Sequence, residues 1–217
     1  ASAQKKVSIL GDSYSTFRGY IEPDVNEPWY PFDYKDEQGK YQNDVRTVEQ
    51  TWWRVLIDGN KDKYVLEKNN SDSGATISCH GYKGKDGQPE DYCYRSYTTR
   101  CVNLGVPDII LIFGATNDSW TGTQMGEYQY ENFTKKDLWL FRPALAQLLQ
   151  TVKMYYPKAE IHFILNSDLR PEINESIYTL CQKYGVPVIT LKDIDKQSGH
   201  PSIKGMQAIA KQVAAAL

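Results

Sequence analysis

Short apolar runs alternate along this chain with longer segments whose apolar residues recur every three or four positions. The short runs predict five strands, which cover 7–10, 64–66, 106–113, 161–165 and 186–191. The periodic segments predict four helices, which cover 47–58, 138–152, 171–184 and the residues from 201 onward. This alternation of strand and helix is typical of a parallel sheet with helices on both faces.

The strand ends indicate where a functional site should lie. In a parallel sheet of this kind, functional groups gather at the carboxyl ends of the strands. We therefore expect the site in the segments that follow the strands, at 11–13, 69–74, 114–118, 166–170 and just before 201. A further segment, 14–46, is long for a strand-to-helix connection, and connections of that length are usually functional or mobile.

Composition narrows the class of protein. With 217 residues the chain is expected to form one domain, carrying 14–46 as an aromatic-rich insertion. Its 41% hydrophobic and 24% charged residues indicate a folded globular protein. A net charge of −2 offers no basic excess for nucleic acid, and no apolar window is long enough for a membrane span. Tyrosine outnumbers phenylalanine by 16 to 6, which suits wet binding surfaces.

The cysteines bear on metal binding and on compartment. The four are Cys79, Cys93, Cys101 and Cys181. No CxxC pair exists, and adjacent Cys79 and His80 are poorly placed to chelate one ion, so the spacing argues against zinc. A disulfide among them is expected if the protein is exported, and four reduced cysteines are the alternative. Residues 1–4 (ASAQ) resemble the end of a cleaved signal peptide, which favours a periplasmic or extracellular location over a cloning remnant.

Ser13 is the candidate nucleophile, because it follows a predicted strand and a Gly-Asp turn. A serine hydroxyl needs a base to remove its proton, and histidine has a suitable pKa. His162 lies inside a predicted strand and His80 lies away from any strand end, so elimination selects His200, which follows the fifth strand. Each residue taken alone also has an explanation without catalysis. Ser13 could belong to an ordinary turn, and His200 could be a surface or helix-capping histidine.

An acyl-transfer site also needs hydrogen-bond donors for the carbonyl oxygen, which becomes anionic in the tetrahedral intermediate. Gly74 follows the second predicted strand, and a glycine lets its backbone N–H approach a ligand closely. Asn117 follows the third predicted strand and offers a side-chain NH₂. Together with the N–H of Ser13, these groups predict an oxyanion hole at one edge of the sheet.

These segments resemble four sequence blocks of the SGNH (GDSL-type) hydrolase family, in the family's order. The matching residues are Gly11-Asp12-Ser13-Tyr14-Ser15, Gly74, Gly114-Ala115-Thr116-Asn117-Asp118, and His200-Pro201 followed by Gly205. The resemblance implies a three-layer α/β/α, flavodoxin-like fold around a mostly parallel five-stranded sheet. It also implies catalysis by Ser13 and His200, an oxyanion hole made by Ser13, Gly74 and Asn117, and structural roles for Asp12 and Asp118. This chemistry calls for no metal and no cofactor.

The chain departs from the family at one position. The aspartate that the family usually carries three residues before the histidine is replaced by Gln197. The third group of a triad orients the imidazole and stabilises its cation, and glutamine has no negative charge for the second task. Three partners for His200 stay open: Gln197, Asp195 or another carboxylate, and a backbone carbonyl, which would leave a Ser-His dyad. We favour the dyad or Gln197.

The aromatic residues suggest a substrate. We expect 14–46 to roof the site, with Trp120, Tyr128 and Tyr130 opposite it, because Tyr and Trp rings stack on sugars. The favoured function is an esterase that removes acetyl or another small acyl group from a carbohydrate. The alternatives are a lipase or lysophospholipase and a non-catalytic glycan-binding relative, the latter suggested by Gln197. The aromatics could instead simply pack the insertion. The oligomeric state is left open.

Overall fold

The computed structural model describes residues 3–217, and its central element is a five-stranded sheet. The strands of the molecule are β1 (Lys5–Gly11), β2 (Tyr64–Ser71), β3 (His80–Lys83), β4 (Pro89–Asp91), β5 (Ile109–Gly114), β6 (Glu160–Leu165), β7 (Val188–Thr190), β8 (Lys196–Gln197) and β9 (His200–Pro201). The central sheet has the order β2-β1-β5-β6-β7 with every neighbour parallel, whereas β3–β4 and β8–β9 form two small antiparallel hairpins.

Helices cover both faces of this sheet. They are α1 (Trp52–Asp58), α2 (Tyr97–Arg100), α3 (Thr116–Thr121), α4 (Phe141–Tyr155), α5 (Pro171–Tyr184) and α6 (Ile203–Ala216). Residues of α1 and α6 share one apolar cluster with the sheet, and residues of α2, α4 and α5 share the other. The three-layer α/β/α arrangement predicted from the sequence is therefore confirmed.

The central strand β5 shows why the chain folds in this way. All six of its residues are buried, as a strand covered on both faces requires. Because side chains alternate between the two faces of a strand, Ile110 and Ile112 enter one apolar cluster while Leu111 and Phe113 enter the other. The run that appears continuous in the sequence thus contributes to both cores.

The start of the last helix differs from the prediction. The sequence predicts a helix that opens at Pro201, but α6 begins at Ile203. The Ser202 side chain caps the helix by accepting a hydrogen bond from the Gly205 N–H at 3.1 Å. Pro201 instead pairs with Lys196 in the β8–β9 hairpin. The helix therefore starts after the serine cap, and Pro201, one residue before that cap, belongs to the preceding hairpin.

The segment between β2 and β5 contains a hairpin and a short helix that the sequence did not predict, and a disulfide that it left open. The β3–β4 hairpin and α2 lie there, and Cys79 and Cys93 form a disulfide across a sequence separation of 14. The two other cysteines, Cys101 and Cys181, are free thiols and are buried. The disulfide alternative therefore holds and the fully reduced one is wrong.

The insertion 14–46 contains little regular structure, and its aromatic residues divide into two groups. Tyr14, Phe17 and Tyr30 are buried in the core beside α1 and α6. Tyr20 and Tyr34 are exposed by 54% and 69%. Part of the aromatic content of the insertion thus packs in the core, which agrees with the packing interpretation, and the rest is exposed.

Two expectations concern membranes and export. Among the residues described, no helix combines the length and apolar character that crossing a membrane requires. Ala1 and Ser2, on which the signal-peptide resemblance partly rests, lie outside the described residues.

Candidate active site

Ser13 lies at the carboxyl edge of the sheet, in a tight turn that follows β1. Asp12 caps this turn, because its carboxylate accepts a hydrogen bond from the Tyr14 N–H at 3.1 Å. A side chain at Gly11 would collide with the Ser71 and Ser15 side chains, so only glycine lets the chain pass from the strand into this turn. The turn therefore presents Ser13 at the edge where the sequence predicts the site.

His200 faces Ser13 from the β8–β9 hairpin. Its Nε2 lies 2.9 Å from Ser13 Oγ, and its Nδ1 lies 2.9 Å from the Ser198 carbonyl oxygen. A carbonyl oxygen can only accept, so Nδ1 carries the proton and Nε2 is left to accept the hydroxyl proton of Ser13. The hairpin turns through Ser198 and Gly199, whose φ angles of 53° and 72° are both left-handed.

The neighbours of the imidazole decide between the three partners left open by the sequence. The Gln197 side chain points to the insertion, where its Oε1 accepts a hydrogen bond from the Asp44 N–H at 2.8 Å. Asp195 instead accepts a hydrogen bond from Ser202 Oγ at 2.5 Å. The group at Nδ1 is the backbone carbonyl of Ser198. Of the two favoured alternatives, the geometry is that of a Ser-His dyad, and Gln197 as the partner of His200 is wrong.

An aromatic ring stacks on one face of the His200 imidazole. The Trp29 ring lies parallel to His200, with the ring centroids 3.7 Å apart and an angle of 3° between the planes. Phe32 also stacks on Trp29, at 4.3 Å and 4°. The Tyr14 hydroxyl donates to the Gly199 carbonyl and the Tyr30 hydroxyl donates to that of Pro201, each at 2.7 Å. The insertion thus contacts the site as predicted, but the sequence does not single out Trp29.

This environment changes the basicity of His200. Burial is the largest cause and lowers the pKa of the imidazole from 6.5 to about 4. The Ser198 carbonyl opposes this by raising the pKa, whereas the nearby ammonium of Lys196 lowers it further. The imidazole is therefore neutral, and able to accept a proton, far into the acid range.

The three predicted oxyanion donors lie at the same edge of the sheet. Gly74 has a φ of +84°, which a residue with a side chain rarely adopts. Within residues 3–217, neither the Ser13 N–H nor the Gly74 N–H donates to a protein acceptor. Asn117 Nδ2 donates one hydrogen to the Ala75 carbonyl at 2.9 Å, and its other hydrogen has no acceptor among the residues that the structure describes. The Asp72 N–H donates to the Gly11 carbonyl at 3.2 Å, which joins the Gly74 loop to the end of β1.

Two buried carboxyl groups brace these loops. Asp118 accepts hydrogen bonds from the Ile77 N–H at 2.7 Å and from the Ser78 N–H at 3.1 Å. Burial raises the pKa of Asp118, and it raises the pKa of Asp12 from 3.8 to about 7. Neither carboxyl contacts His200, which agrees with the structural roles implied by the resemblance.

The three aromatic residues expected opposite the insertion, one in α3 and two after it, do not all reach the site. Trp120 does, since its ring centroid is 6.1 Å from that of His200 and its surface is 49% exposed. Tyr128 instead packs under the Arg142 guanidinium, and Tyr130 lies against the Lys183 ammonium. The expectation that Tyr128 and Tyr130 face the insertion is wrong, because the chain after α3 runs back along α4 and α5.

The two other histidines contact residues outside the site, in agreement with the choice of His200 by elimination. His162 bonds through Nε2 to Glu160 at 2.7 Å, within the same strand. His80 packs edge-on against Trp139, with ring centroids 6.0 Å apart. Neither bonds to Ser13.

Comparisons with known proteins give a consistent answer. The sequence profile of the family described as GDSL-like Lipase/Acylhydrolase matches residues 5–217. A structure described as a GDSL-like lipase from Bacteroides uniformis ATCC 8492 is similar at 50% identity and a TM-score of 0.89, over 99% of this chain and 95% of that one. One from Bacteroides ovatus ATCC 8483 is similar at 50% identity and a TM-score of 0.90, over 99% and 98%.

A more distant similarity is to a family two carbohydrate esterase from Clostridium thermocellum, solved with cellohexaose. It has 18% identity and a TM-score of 0.58, over 100% of this chain and 65% of that one, so only the fold is shared. No curated protein matches this chain.

Proposed function

Because the chain belongs to the GDSL-like lipase/acylhydrolase family and hydrolyses esters, we propose that Ser13 is its nucleophile and His200 its general base. One observation carries this proposal: Ser13 Oγ lies 2.9 Å from His200 Nε2 while the Ser198 carbonyl holds Nδ1. A nucleophile, a base and a group that orients the base are the arrangement that acyl transfer requires.

In the first half of the reaction, Ser13 Oγ attacks the ester carbonyl carbon and its proton passes to His200 Nε2. The carbonyl oxygen becomes an oxyanion, which accepts hydrogen bonds from the Ser13 N–H, the Gly74 N–H and Asn117 Nδ2. As the tetrahedral intermediate collapses, His200 returns the proton to the leaving alkoxide. The alcohol departs and the acyl group stays on Ser13.

In the second half, a water molecule replaces the alcohol. His200 accepts a proton from this water, and the resulting hydroxide attacks the acyl carbon in the same oxyanion hole. Collapse of the second intermediate returns the proton to Ser13 Oγ and releases the carboxylic acid. The enzyme regains its starting state.

Among residues 3–217, no carboxylate forms a hydrogen bond with the ring of His200, which becomes the imidazolium in each half. Two neutral groups stabilise it instead: the Ser198 carbonyl, which accepts its Nδ1–H, and the π face of Trp29, which attracts a cation. This is a weaker stabilisation than that of a buried carboxylate, and it matches the low pKa of His200.

We propose a small acyl group, most simply acetyl, on a carbohydrate as the substrate. Trp120 supports this, because it is half exposed beside His200 and offers an aromatic surface on which a sugar ring can stack. Carbohydrate esterases also occur among proteins of this fold.

The test of the catalytic proposal is labelling with a fluorophosphonate, which requires an activated serine. Wild-type protein should be labelled and should hydrolyse p-nitrophenyl acetate, whereas Ser13→Ala should do neither. Labelling that persists in Ser13→Ala would overturn the assignment of the nucleophile. Unlabelled, inactive wild-type protein that binds glycans would favour the non-catalytic alternative.

The test of the substrate compares acyl chain length and sugar dependence. The acetyl ester should be turned over faster than a p-nitrophenyl ester of a long fatty acid, and the reverse preference would favour a lipase. Trp120→Ala should raise KM for an O-acetylated oligosaccharide while leaving KM for p-nitrophenyl acetate unchanged. Equal effects on the two substrates would contradict sugar stacking at Trp120.

A further inference from the structure

The oxyanion-hole residue Asn117 has a partner that no catalytic motif contains. The Tyr82 hydroxyl donates to Asn117 Oδ1 at 2.6 Å, while Asn117 Nδ2 donates to the Ala75 carbonyl at 2.9 Å. If the amide rotated by 180°, its oxygen would face the Ala75 carbonyl oxygen, and two acceptors repel. The two contacts together therefore allow one amide orientation, in which the free Nδ2 hydrogen is available to an oxyanion.

Tyr82 is itself held firmly, because it belongs to the β3–β4 hairpin. The Cys79–Cys93 disulfide closes the base of this hairpin. A side chain at Gly81 would overlap the Tyr92 ring, so the glycine allows Tyr92, which directly follows β4, to pack against β3. The Cys79 N–H also donates to the Leu138 carbonyl at 2.8 Å, which fastens the hairpin to the segment before α4.

The chain that leaves this hairpin contacts a second oxyanion donor. Arg95 pairs with Asp72 through a 2.9 Å contact and also donates to the Ser73 carbonyl. Both charged side chains are largely buried, with exposures of 18% and 6%. Asp72 and Ser73 directly precede Gly74. The segment 79–95 thus supplies two supporting side chains, Tyr82 at Asn117 and Arg95 at the residues before Gly74, and neither of the two lies in a GDSL-type motif.

We propose that Tyr82 is a positioning residue of the oxyanion hole, which acts through Asn117 by holding its side-chain amide in the donating orientation. The inference rests on the proposed function, since it assumes that Asn117 binds the oxyanion. Tyr82 takes no part in bond making. Its effect should appear in kcat, because an oxyanion exists only in the transition state and the intermediates.

The experiment is a double-mutant cycle between Tyr82→Phe and Asn117→Ala, measured on p-nitrophenyl acetate. Tyr82→Phe removes one oxygen and keeps the ring, so the fold should survive. We expect Tyr82→Phe to lower kcat by about 10-fold, which is less than the roughly 10²–10³ that loss of one oxyanion donor costs. KM should change by less than about twofold. In the Asn117→Ala background, Tyr82→Phe should lower kcat no further.

The matched control is Tyr94→Phe, in the same segment. Its side chain is 73% exposed, and removal of its hydroxyl should leave kcat unchanged. A wild-type kcat in Tyr82→Phe, or independent losses that multiply in the double variant, would overturn the role of Tyr82. An Asn117→Ala variant with wild-type kcat would instead overturn the proposed oxyanion hole, so the two failures are distinguishable.

Discussion

The two sides of Ser13 are built in different ways. On one side, His200 is held by neutral groups: one backbone carbonyl, that of Ser198, and the stacked ring of Trp29. On the other side, buried ionisable groups hold the loops. Arg95 pairs with Asp72, just before Gly74, and Asp118 accepts hydrogen bonds from the backbone that follows Gly74. The first side combines one hydrogen bond with aromatic stacking, and the second relies on an ion pair and several hydrogen bonds to buried carboxyl groups.

The difference follows from what each side must do. The base must be neutral before it accepts a proton, and burial among aromatic rings without a carboxylate favours the neutral form. The oxyanion donors must keep backbone and amide N–H groups aimed at one point, and buried carboxylates align several N–H groups at once. Variants of one side should therefore change the reaction differently from variants of the other.

The largest expected effect is a difference in kcat between variants of His200 and of Gln197, which stands where the family usually has its aspartate. His200→Ala should lower kcat by about 10⁴-fold or more, because it removes the general base. Gln197→Ala should cost far less, since its side chain bonds to the Asp44 N–H and not to the imidazole. Measurement of kcat on p-nitrophenyl acetate decides the point, and comparable losses in both variants would refute the dyad.

A smaller loss is expected when the stack on the histidine side is removed. Trp29→Ala should lower kcat by roughly 10- to 100-fold, because the imidazole is no longer confined and small misplacements of a base are costly. The added solvent should also raise the pKa of His200, which a pH profile of kcat/KM detects. Phe32→Ala is the control, since Phe32 stacks on Trp29 at 4.3 Å and should produce a lesser change. Equal effects of the two variants would contradict a direct role of Trp29.

On the opposite side, loss of the disulfide should affect stability more than chemistry. A cross-link closing a loop of about 15 residues is worth roughly 3 kcal/mol, so the Cys79→Ser, Cys93→Ser double variant should unfold at a lower temperature. A several-fold loss of kcat should accompany it, because Tyr82 lies in the released hairpin. Dithiothreitol should reproduce both effects in the wild type and have none on the variant. A wild-type kcat after complete reduction would show that the hairpin holds Tyr82 without the cross-link.

The smallest expected change is the response of the wild-type enzyme to acid. Proton transfer from Ser13 needs neutral His200, and burial lowers the pKa of this histidine to about 4. As pH falls from 7 to 5, kcat/KM should drop by less than about twofold, and the main loss should come as pH passes about 4. A histidine with the ordinary pKa of about 6.5 would be only about 3% neutral at pH 5. Circular dichroism over the same range separates titration from unfolding. Because burial raises the pKa of Asp12 to about 7, the prediction for His200 is contradicted by an acid limb near 6.5 that persists in Asp12→Asn.

Local sequence was a good guide to the sheet. The apolar run at 109–113 predicts a buried strand, and turn residues predict that Ser13, Gly74 and Asn117 follow strand ends. Both predictions succeed because burial patterns and turn chemistry depend on neighbouring residues. Local sequence was a poor guide to Tyr128 and Tyr130. They follow Asn117 in the chain, but they pack against Arg142 and Lys183. Proximity in sequence does not determine which way a loop turns.

Pro201 shows a conflict between two local signals. Proline and serine both mark helix starts, and the prediction considers only the proline. The structure starts the helix after Ser202, because the Ser202 hydroxyl reaches the Gly205 N–H while Pro201 is held in the hairpin by pairing with Lys196. The prediction rests on the proline alone and contains no hairpin at 196–201, so it starts the helix two residues too early.

The sequence by itself determined the parallel sheet and the residues that reach its carboxyl edge, because alternating burial and glycine-containing turns are local properties of the chain. Only the tertiary structure decided what surrounds His200 and Asn117. The partner of His200 is a backbone carbonyl, which every residue possesses and no residue type marks. Trp29 and Tyr82 reach the site from distant segments, and their contacts exist only after the insertion and the hairpin have packed against the sheet.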